Sequence, residues 1–405
     1  MSKRILITGG SVAGNTLAWW LERGGYDVVV VEREPEFRDG GQSVDLRGSA
    51  RTVFERMGLI DEVDASGTGE TAWTFVDEHG KTVAAFRVAD IGPDGPTAEL
   101  EILRGDLARI VFDAVRPKVD YRFGDFVKEL EDQGEAVQVR FDSGREERFD
   151  LVLVAEGVGS KTRELLFPGE NRPRWMDVTI GYFTIPRGAG DGMEGRWFNA
   201  PGGRVIFLRP DPHGGTKAVL MIREGLHEAL ELSDEEAKMR LAEQFADAGW
   251  EAERVIAGLK QTDDLYFEVL RQVKMDRWSQ GRVALTGDAA WCATPISGIG
   301  TTLAVTGAYV LAGELANHDR HEDAFQAYDK LMRPFAEQGQ GTPDVFKSMN
   351  YPKSRLGIAA QQVALGVLSK PVLRDIFIKL GMRESDDIEL PHYQFAVPDR
   401  GKATE

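Results

Sequence analysis

A glycine-rich turn lies between an apolar strand and a helix near the N-terminus, and a second apolar strand follows. The strand is predicted over Arg4–Thr8, the helix over Ser11–Arg23 and the second strand over Asp27–Val31. Strands as uniformly apolar as these are typical of a parallel sheet that is buried on both faces. A chain that contains this strand–helix–strand unit is expected to adopt an α/β fold.

The turn itself, Gly9–Gly14, reads GGSVAG and fits G-x-G-x-x-G with Ser11 in place of the second glycine. Gly9 permits a tight turn, the small Ser11 lets a pyrophosphate approach, and Gly14 lets helix and strand pack closely. Glu32 ends the second strand, where its carboxylate can accept hydrogen bonds from a ribose. The pattern predicts a dinucleotide site, and an acid at position 32 argues against a 2′-phosphate, which leaves NAD or FAD.

A second glycine-rich segment, Gly287–Gly300, reads GDAAWCATPISGIG. It follows an apolar run, Arg282–Thr286, that is predicted to be a buried strand, and it precedes a predicted buried helix over Thr301–Leu315. Asp288 is therefore expected at a strand end. The free N–H groups and the dipole at the start of the helix are expected to attract negative charge.

Composition limits the class of protein and its partners. The chain has 405 residues, which is typical of two or three domains, and 42% hydrophobic with 28% charged residues is typical of a soluble globular protein. With 49 basic and 66 acidic residues the net charge is −17, so neither nucleic acid nor an anionic membrane is an expected partner. The sequence has no membrane-spanning stretch and no signal peptide, which predicts a cytoplasmic protein. A monomer and a dimer both stay open.

The single cysteine, Cys292, excludes an internal disulfide framework and a cysteine-rich metal site. Two interpretations of Cys292 stay open: a nucleophile, or a small residue packed near a cofactor. The six histidines show no H-x-x-x-H spacing. No metal site and no catalytic triad are predicted.

The chain as a whole is predicted to divide into three parts. A nucleotide-binding domain is expected from 1–70, 102–171 and 273–345, and a sheet-rich substrate domain from the insertions 71–101 and 172–272. Aromatic residues in the second insertion form either walls for a flat substrate or an ordinary core: Phe183, Trp197, Phe198, Phe207, Tyr266 and Phe267. Residues 346–397 are predicted to supply C-terminal helices, two of them over 354–380 with a break at Pro371, packed on the body or binding a partner.

Five segments together resemble the group A FAD-dependent monooxygenases, which have the para-hydroxybenzoate hydroxylase fold. The segments are Gly9–Gly14, Gly40–Gly48, Glu101–Leu107, Ala155–Arg163 and Gly287–Gly300. They occur in order over nearly the whole chain. Within the group, the chain is most similar to tetracycline destructases and related polyketide-modifying oxygenases.

The resemblance implies a Rossmann-like FAD-binding domain with an interleaved sheet-rich substrate domain and C-terminal helices. It implies that FAD is reduced transiently by NADPH or NADH, reacts with O2 to a C4a-hydroperoxide, and oxygenates an aromatic or polycyclic, polyketide-like molecule. The flavin carries this chemistry, so no catalytic side chain is assigned. Two alternatives stay open: a flavin-dependent reductase or dehydrogenase, and a weakly catalytic flavoprotein that binds or sequesters a small molecule.

By the same resemblance, Glu32 holds the adenosine ribose and Asp288 holds the ribityl chain or the pyrophosphate. Arg104 contacts the phosphates or is a surface helix cap, Arg38 meets the nicotinamide cofactor or is solvated, and Arg47 is a possible neighbour of the flavin ring. The full set expected to bind the cofactor is Gly9, Ser11, Val12, Ala13, Gly14, Glu32, Arg33, Arg38, Asp45, Arg47, Arg104, Asp288, Pro295, Gly298, Ile299, Gly300 and Thr301.

Three positions depart from the family's pattern. Glu156 stands where the family has aspartate, Ile299 where it often has a polar residue, and Thr302 where it usually has asparagine. Ile299 and Thr302 are expected to remove side-chain hydrogen bonds close to the flavin, which leaves backbone N–H groups to bind it. The flavin affinity or its reduction potential is therefore expected to differ from the family's.

Overall fold

The structure is a computed structural model, and it describes residues 2–91, 101–224, 232–341, 345–370 and 388–395. Its strands, in chain order, are β1 (Arg4–Thr8), β2 (Asp27–Glu32), β3 (Ser43–Asp45), β4 (Ala72–Val76), β5 (Thr82–Arg87), β6 (Glu101–Leu103), β7 (Asp120–Phe123), β8 (Val127–Asp132), β9 (Val137–Phe141), β10 (Glu146–Phe149), β11 (Leu151–Val154), β12 (Arg174–Ile185), β13 (Glu194–Ala200), β14 (Arg204–Pro210), β15 (Thr216–Ile222), β16 (Tyr266–Gln272), β17 (Ser279–Gln280) and β18 (Val283–Leu285).

The helices in the described residues are α1 (Val12–Arg23), α2 (Gly48–Met57), α3 (Ile60–Ala65), α4 (Val88–Ile91), α5 (Arg104–Val115), α6 (Lys161–Leu166), α7 (Asp234–Phe245), α8 (Ala252–Gln261), α9 (Asp288–Trp291), α10 (Gly300–Asn317), α11 (His321–Gly339), α12 (Val345–Asn350) and α13 (Arg355–Leu368). Short 3-10 helices span Arg116–Lys118 and Pro295–Ser297.

A six-stranded sheet, here called the central sheet, has the order β17-β18-β11-β1-β2-β7. Its pairs are parallel apart from β17 with β18. Ile5, Leu6 and Ile7 of β1 have no exposed surface, because the strand is covered on both faces. The predicted strand–helix–strand unit is confirmed: β1 has the predicted bounds, α1 begins one residue after Ser11, and β2 extends to Glu32.

A three-stranded antiparallel sheet, β10-β9-β8, leads into the middle of the central sheet. Strands β9 and β10 form an antiparallel hairpin, and β11 then runs parallel to β1 on one side and to β18 on the other. This order places the chain after β11 between the turn after β1 and the segment after β18.

A seven-stranded sheet, here called the outer sheet, has the order β16-β12-β15-β14-β13-β4-β5. Strands from two distant parts of the chain meet in it, because β4 pairs in parallel with β13. One face packs on α7 and α8, where Phe183 and Phe198 contact residues such as Leu241 and Val255. These two helices were not predicted. The α/β architecture with interleaved sheets is confirmed, while the residue bounds of the domains stay a prediction.

Helix α10 is buried along most of its length and packs between α1, α2 and α11, as the apolar sequence predicts. The first predicted C-terminal helix corresponds to α13; residues from Pro371 to Leu380, and those after Phe395, lie outside the described residues. Among the helices that the structure describes, none combines the length and apolar character needed to cross a membrane.

Candidate functional site

The parallel strands of the central sheet end side by side, which gathers several predicted site residues at one edge. Gly9 follows β1, Glu32 ends β2, Ala155 follows β11, and Gly287 lies two residues after the end of β18. Ligands of open parallel sheets bind outside the carboxyl ends of the strands. This edge is therefore the candidate site.

Two glycines make the first turn compact. Gly9 has φ +98°, and a Cβ there would lie 2.5 Å from the carbonyl oxygen of Ala155. A Cβ on Gly14 would lie 1.9 Å from the carbonyl oxygen of Gly9. Side chains larger than hydrogen are excluded at both positions, so the start of α1 comes close to the strand end and its first N–H groups, which have no intrahelical partner, face the edge.

Glu32 is fixed by the backbone around it. Its carboxylate accepts the N–H of Gly10 at 2.7 Å and the N–H of Glu34 at 3.0 Å. A carboxylate has about four acceptor positions, so two remain for a ligand hydroxyl. The neighbouring Arg33 is exposed and lies 3.7 Å from the carboxylate of Glu34, which places it at the rim of the site.

Arg104 reaches into the site from the first turn of α5. Its guanidinium donates to Ser11 Oγ at 2.7 Å and to the carbonyl oxygen of Gly40 at 3.1 Å. Burial lowers the pKa of this guanidinium from its ordinary value, while Asp288 and Glu32 act in the opposite direction. The interpretation of Arg104 as a surface helix cap is wrong, because the side chain points inward to the glycine-rich turn.

A pair of charged residues lies at the end of β3. Arg47 donates to Asp45 at 2.7 Å, and burial raises the pKa of Asp45, against the opposing effect of Arg47. The Nε of Arg47 is buried and has no partner among the described residues. A buried donor without a partner is costly, so this N–H marks a place where a polar ligand fits.

The same pair adjoins a buried ionic cluster that the sequence analysis missed. Arg209 of β14 donates to both carboxylate oxygens of Glu70 at 2.9 Å and also pairs with Glu101. Burial raises the pKa of Glu101 to about 8, with Arg209 lowering it and Glu70 and Asp45 raising it. The three carboxylates exceed the two guanidinium groups by one negative charge, and burial with this excess charge favours the protonated form of Glu101.

Asp288 is the first residue of α9 and lies just after the buried strand β18, and its side chain is exposed at the candidate site. Desolvation by the surrounding protein raises the pKa of Asp288 to about 6, against the opposing effect of Arg104. The thiol of Cys292 hydrogen-bonds to this carboxylate, and it accepts the N–H of Thr294. Burial raises the pKa of Cys292 well above its ordinary value, which argues against a nucleophilic thiolate and for a packed neutral thiol.

The loop between α9 and α10 is held in an unusual conformation. Thr294 has φ +72° and ψ 154°, a region that β-branched residues rarely adopt, and its buried Oγ1 has no partner in the part of the chain that the structure describes. Pro295 and Gly298 are exposed, and a Cβ on Gly298 or Gly300 would meet no atom within 4 Å. The loop therefore presents backbone to open space.

The start of α10 completes this part of the site. The N–H groups of Gly300, Thr301 and Thr302 belong to the first helical turn and have no intrahelical partners. Thr302 is 1% exposed, and its Oγ1 also lacks a partner among the residues that the structure describes. Free N–H groups at a helix start suit an anionic or electron-rich ligand.

The other two departures from the family's pattern have local explanations. The side chain of Ile299 is buried in the core, where its Cδ1 lies 2.6 Å from the position of a Cβ on Gly339, so it faces away from the open side of the loop. Glu156 accepts the hydroxyl of Ser160 at 2.8 Å and the N–H of Thr162 at 3.1 Å. It caps the start of α6 in this way.

The outer sheet turns its second face toward the loop. Paired residues place Tyr266, Tyr182, Val219, Phe207, Trp197 and Phe75 in one row across this face. Ile296 of the loop packs against the cluster on this face. Tyr182 and Phe75 nevertheless stay half-exposed, which indicates space between the loop and the face. This space between the loop and the outer sheet is the recess.

The six predicted aromatic residues are thus divided between two roles by the two-residue period of a strand. Trp197, Phe207 and Tyr266 face the recess, whereas Phe183, Phe198 and Phe267 pack with α7 and α8. Arg38 is exposed and lies over the Tyr266 ring at 5.8 Å, at the outer end of the row. Glu268, two residues from Tyr266, faces the recess as well and was not predicted.

These residues fit a dinucleotide that carries an aromatic ring system. Free N–H groups and Arg104 surround the first turn, Glu32 and Asp288 provide acceptors on either side, and the unpartnered Nε of Arg47 and Oγ1 of Thr294 provide further polar contacts. The aromatic face of the outer sheet lies next to these polar groups, across the recess.

Comparisons with known proteins agree with this geometry. A family model described as "FAD binding domain" matches residues 3–340. The FAD-dependent monooxygenase asL6 of Sarocladium schorii is 34% identical over 418 residues, with 97% of this chain and 98% of that protein covered. The crystal structure of tetracycline destructase Tet(55) is 29% identical, with a TM-score of 0.80 and coverage of 97% and 99%. Klebsiella pneumoniae HpxO with FAD and uric acid shares the fold at 20% identity, a TM-score of 0.76 and coverage of 93% and 96%.

Proposed function

This chain belongs to the FAD binding domain family of group A flavin monooxygenases, and from that premise we propose that it uses NADH or NADPH and O2 to oxygenate an aromatic or polycyclic small molecule. The observation that carries the proposal is the recess, where aromatic side chains of the outer sheet face the Gly287–Gly300 loop. When bound, FAD supplies the redox chemistry, accepting a hydride from the nicotinamide and passing one oxygen atom from O2 to the substrate.

We assign the cofactor's phosphates to the turn at Gly9–Gly14. Arg104 offers two charge-assisted donors there beside the first N–H groups of α1. Glu32 is placed to accept from the adenosine ribose, and Asp288 from the ribityl chain. These roles are supported by the position of each group at the same sheet edge.

The loop and the start of α10 are assigned to the isoalloxazine ring. Gly298 and Gly300 leave room for a flat ring against the backbone, and the N–H groups of Gly300 and Thr301 point their positive ends at it. A positive field at this place stabilises an anionic reduced ring. Arg47, with its unpartnered Nε, is assigned to the edge of the ring.

The outer sheet is assigned to the substrate. Phe75 and Tyr182, which are partly exposed above the buried Trp197 and Phe207, offer an apolar aromatic surface, and bound substrate would exclude water from the recess. The similarity to tetracycline destructase Tet(55), whose name indicates a polycyclic substrate, supports a polycyclic, polyketide-like substrate class for this surface.

The proposal is tested by following reductant, O2 and ligand together in purified holoenzyme. A monooxygenase consumes one O2 for each ligand oxygenated and requires NADH or NADPH. Ligand turnover under anaerobic conditions would instead identify a reductase or dehydrogenase. A ligand that binds and is recovered unchanged, with no flavin reduction by either nicotinamide, would identify a sequestering flavoprotein.

A further inference from the structure

The recess has an uneven distribution of charge. Several of its positively charged side chains are held in ion pairs: Arg209 pairs with Glu70 and Glu101, and Arg47 pairs with Asp45. Lys217, at the edge of the same face, donates to Thr184 Oγ1 at 2.7 Å and lies 3.7 Å from Asp264. Arg38, which lies over the Tyr266 ring, is at the outer end of the row. A ligand carboxylate next to Arg209, Arg47 or Lys217 therefore meets a protein carboxylate that already pairs with that cation.

Glu268 differs from these ion-paired groups because it is a carboxylate without an ion-pair partner among the described residues. It lies on β16 beside Tyr266, whose hydroxyl donates to its carboxylate at 2.9 Å. The carboxylate is half-buried and faces the recess in the row next to Tyr182. Acceptor positions on it remain for a ligand.

We propose that the recess selects uncharged aromatic ligands that carry a hydroxyl group and rejects aromatic carboxylates, with Glu268 as the residue that determines this selection. A ligand hydroxyl donates a charge-assisted hydrogen bond to Glu268. A ligand carboxylate loses its hydration next to a carboxylate that has no ion-pair partner among the described residues. This inference rests on the proposed function, because it takes the recess to be the substrate site.

The surroundings of Glu268 give the selection a dependence on pH. Burial raises the pKa of Glu268 to about 7; the hydrogen bond from Tyr266 and the charge of Arg271 lower it, and Asp288 raises it. Tyr182 and Cys292 also face it, and burial raises the pKa of each above its ordinary value. Glu268 is thus charged at pH 8 and mostly neutral at pH 6, so rejection of carboxylates weakens as the pH falls through 7.

The test uses three naphthalenes that differ in one substituent: 2-naphthol, 2-methoxynaphthalene and 2-naphthoate. Binding to holoenzyme is measured from the change in the flavin absorbance spectrum. At pH 8, 2-naphthol is expected to bind about tenfold more tightly than each of the others, the difference typical of one charge-assisted hydrogen bond. The affinity for 2-naphthoate is expected to rise between pH 8 and pH 6.

Glu268→Gln separates the role of the charge from that of the fold. The variant is expected to bind 2-naphthoate about tenfold more tightly than the unaltered protein at pH 8 and to lose the pH dependence. Glu78→Gln, the same change in the exposed turn between β4 and β5, is the matched control and is expected to behave like the unaltered protein.

Equal affinity for 2-naphthol and 2-naphthoate at pH 8 would overturn the inference, and so would an unchanged affinity for 2-naphthoate in Glu268→Gln. In either case, oxygen transfer to any aromatic ligand would leave the proposed function intact. If the ligands are discriminated as expected and none is oxygenated, the proposed function fails and the inference stands. If none of the three naphthalenes binds, the inference is overturned, and the proposed function is decided separately by oxygen transfer to other aromatic or polycyclic ligands.

Discussion

The guanidinium of Arg104 donates to Ser11 Oγ at 2.7 Å, which joins the start of α5 to the glycine-rich turn before α1. The two residues are 93 positions apart in sequence. Positive charge is thereby fixed beside the first free N–H groups of α1, where the phosphates of a dinucleotide are proposed to lie.

Replacement of Arg104 is predicted to weaken FAD binding. Arg104→Ala removes two charge-assisted donors and should raise the dissociation constant of FAD at least about tenfold. Arg104→Lys keeps the positive charge without the planar guanidinium, so its dissociation constant should lie between those of the unaltered protein and Arg104→Ala. The dissociation constant is measured by titrating apoprotein with FAD. Arg116→Ala, at the exposed end of the same helix, should leave it unchanged. Equal FAD affinity in Arg104→Ala would show that the phosphates are bound elsewhere.

The compact first turn makes a prediction about stability. Gly14→Ala places a Cβ 1.9 Å from a backbone oxygen, and neither helix nor strand can move far in the core. The free energy of unfolding should fall by roughly 1–3 kcal/mol or more. Gly159→Ala is the control, because a Cβ there meets no atom within 4 Å and its φ is unremarkable. Urea unfolding that gives the same midpoint for both variants would contradict the packing described.

The state of Cys292 is tested by its reactivity. Burial raises the pKa of the thiol well above its ordinary value, so a neutral thiol is expected at pH 8. Iodoacetamide should label Cys292 slowly in the folded protein and rapidly after denaturation. Cys292→Ser should retain activity, since a hydroxyl can also donate to Asp288. Rapid labelling of the native protein, with loss of activity in the serine variant, would restore the nucleophile interpretation.

The buried cluster predicts a difference between two glutamates. Glu70→Gln leaves Arg209 with one fewer counter-charge and should lower the free energy of unfolding by about 3 kcal/mol. Glu101 is neutral at pH 7 because burial raises its pKa to about 8, so Glu101→Gln should cost less than about 1 kcal/mol at that pH.

The pH dependence of Glu101→Gln follows from the direction of the shift. In the unfolded chain Glu101 loses its proton near its ordinary value of 4.5, and in the folded protein near 8. The unaltered protein therefore loses stability relative to the variant as the pH rises from about 4.5 to about 8, and the difference is constant above that. Unfolding experiments at several pH values measure this difference; a difference independent of pH would show that Glu101 is ionised in the fold.

The sequence predicts those parts of the fold that are local. The bounds of β1 and the burial of α10 follow directly from the apolar residues of each segment, without reference to other parts of the chain. Helix α7 is not predicted, although Ser233 and Glu236 form a capping box at its start. The reason is that sequence patterns typical of short strands surround it.

The site is only partly predictable for a different reason. Arg209, Glu70 and Glu101 come from three separate strands or turns, and their contact depends on the pairing of β13 with β4. One local signal existed: Arg209 interrupts an apolar strand, and a buried charge requires a partner. Trp197 and Phe198 are adjacent in sequence, and only the strand's orientation decides which of them faces the recess.

The most direct test of the account is the fate of oxygen from isotopically labelled O2. Holoenzyme is incubated with NADPH or NADH and 2-naphthol, and the product is examined by mass spectrometry. The account predicts one labelled oxygen atom in the product and none when labelled water replaces labelled O2. An oxidised product without the label, formed while the flavin is reduced and reoxidised, would contradict it.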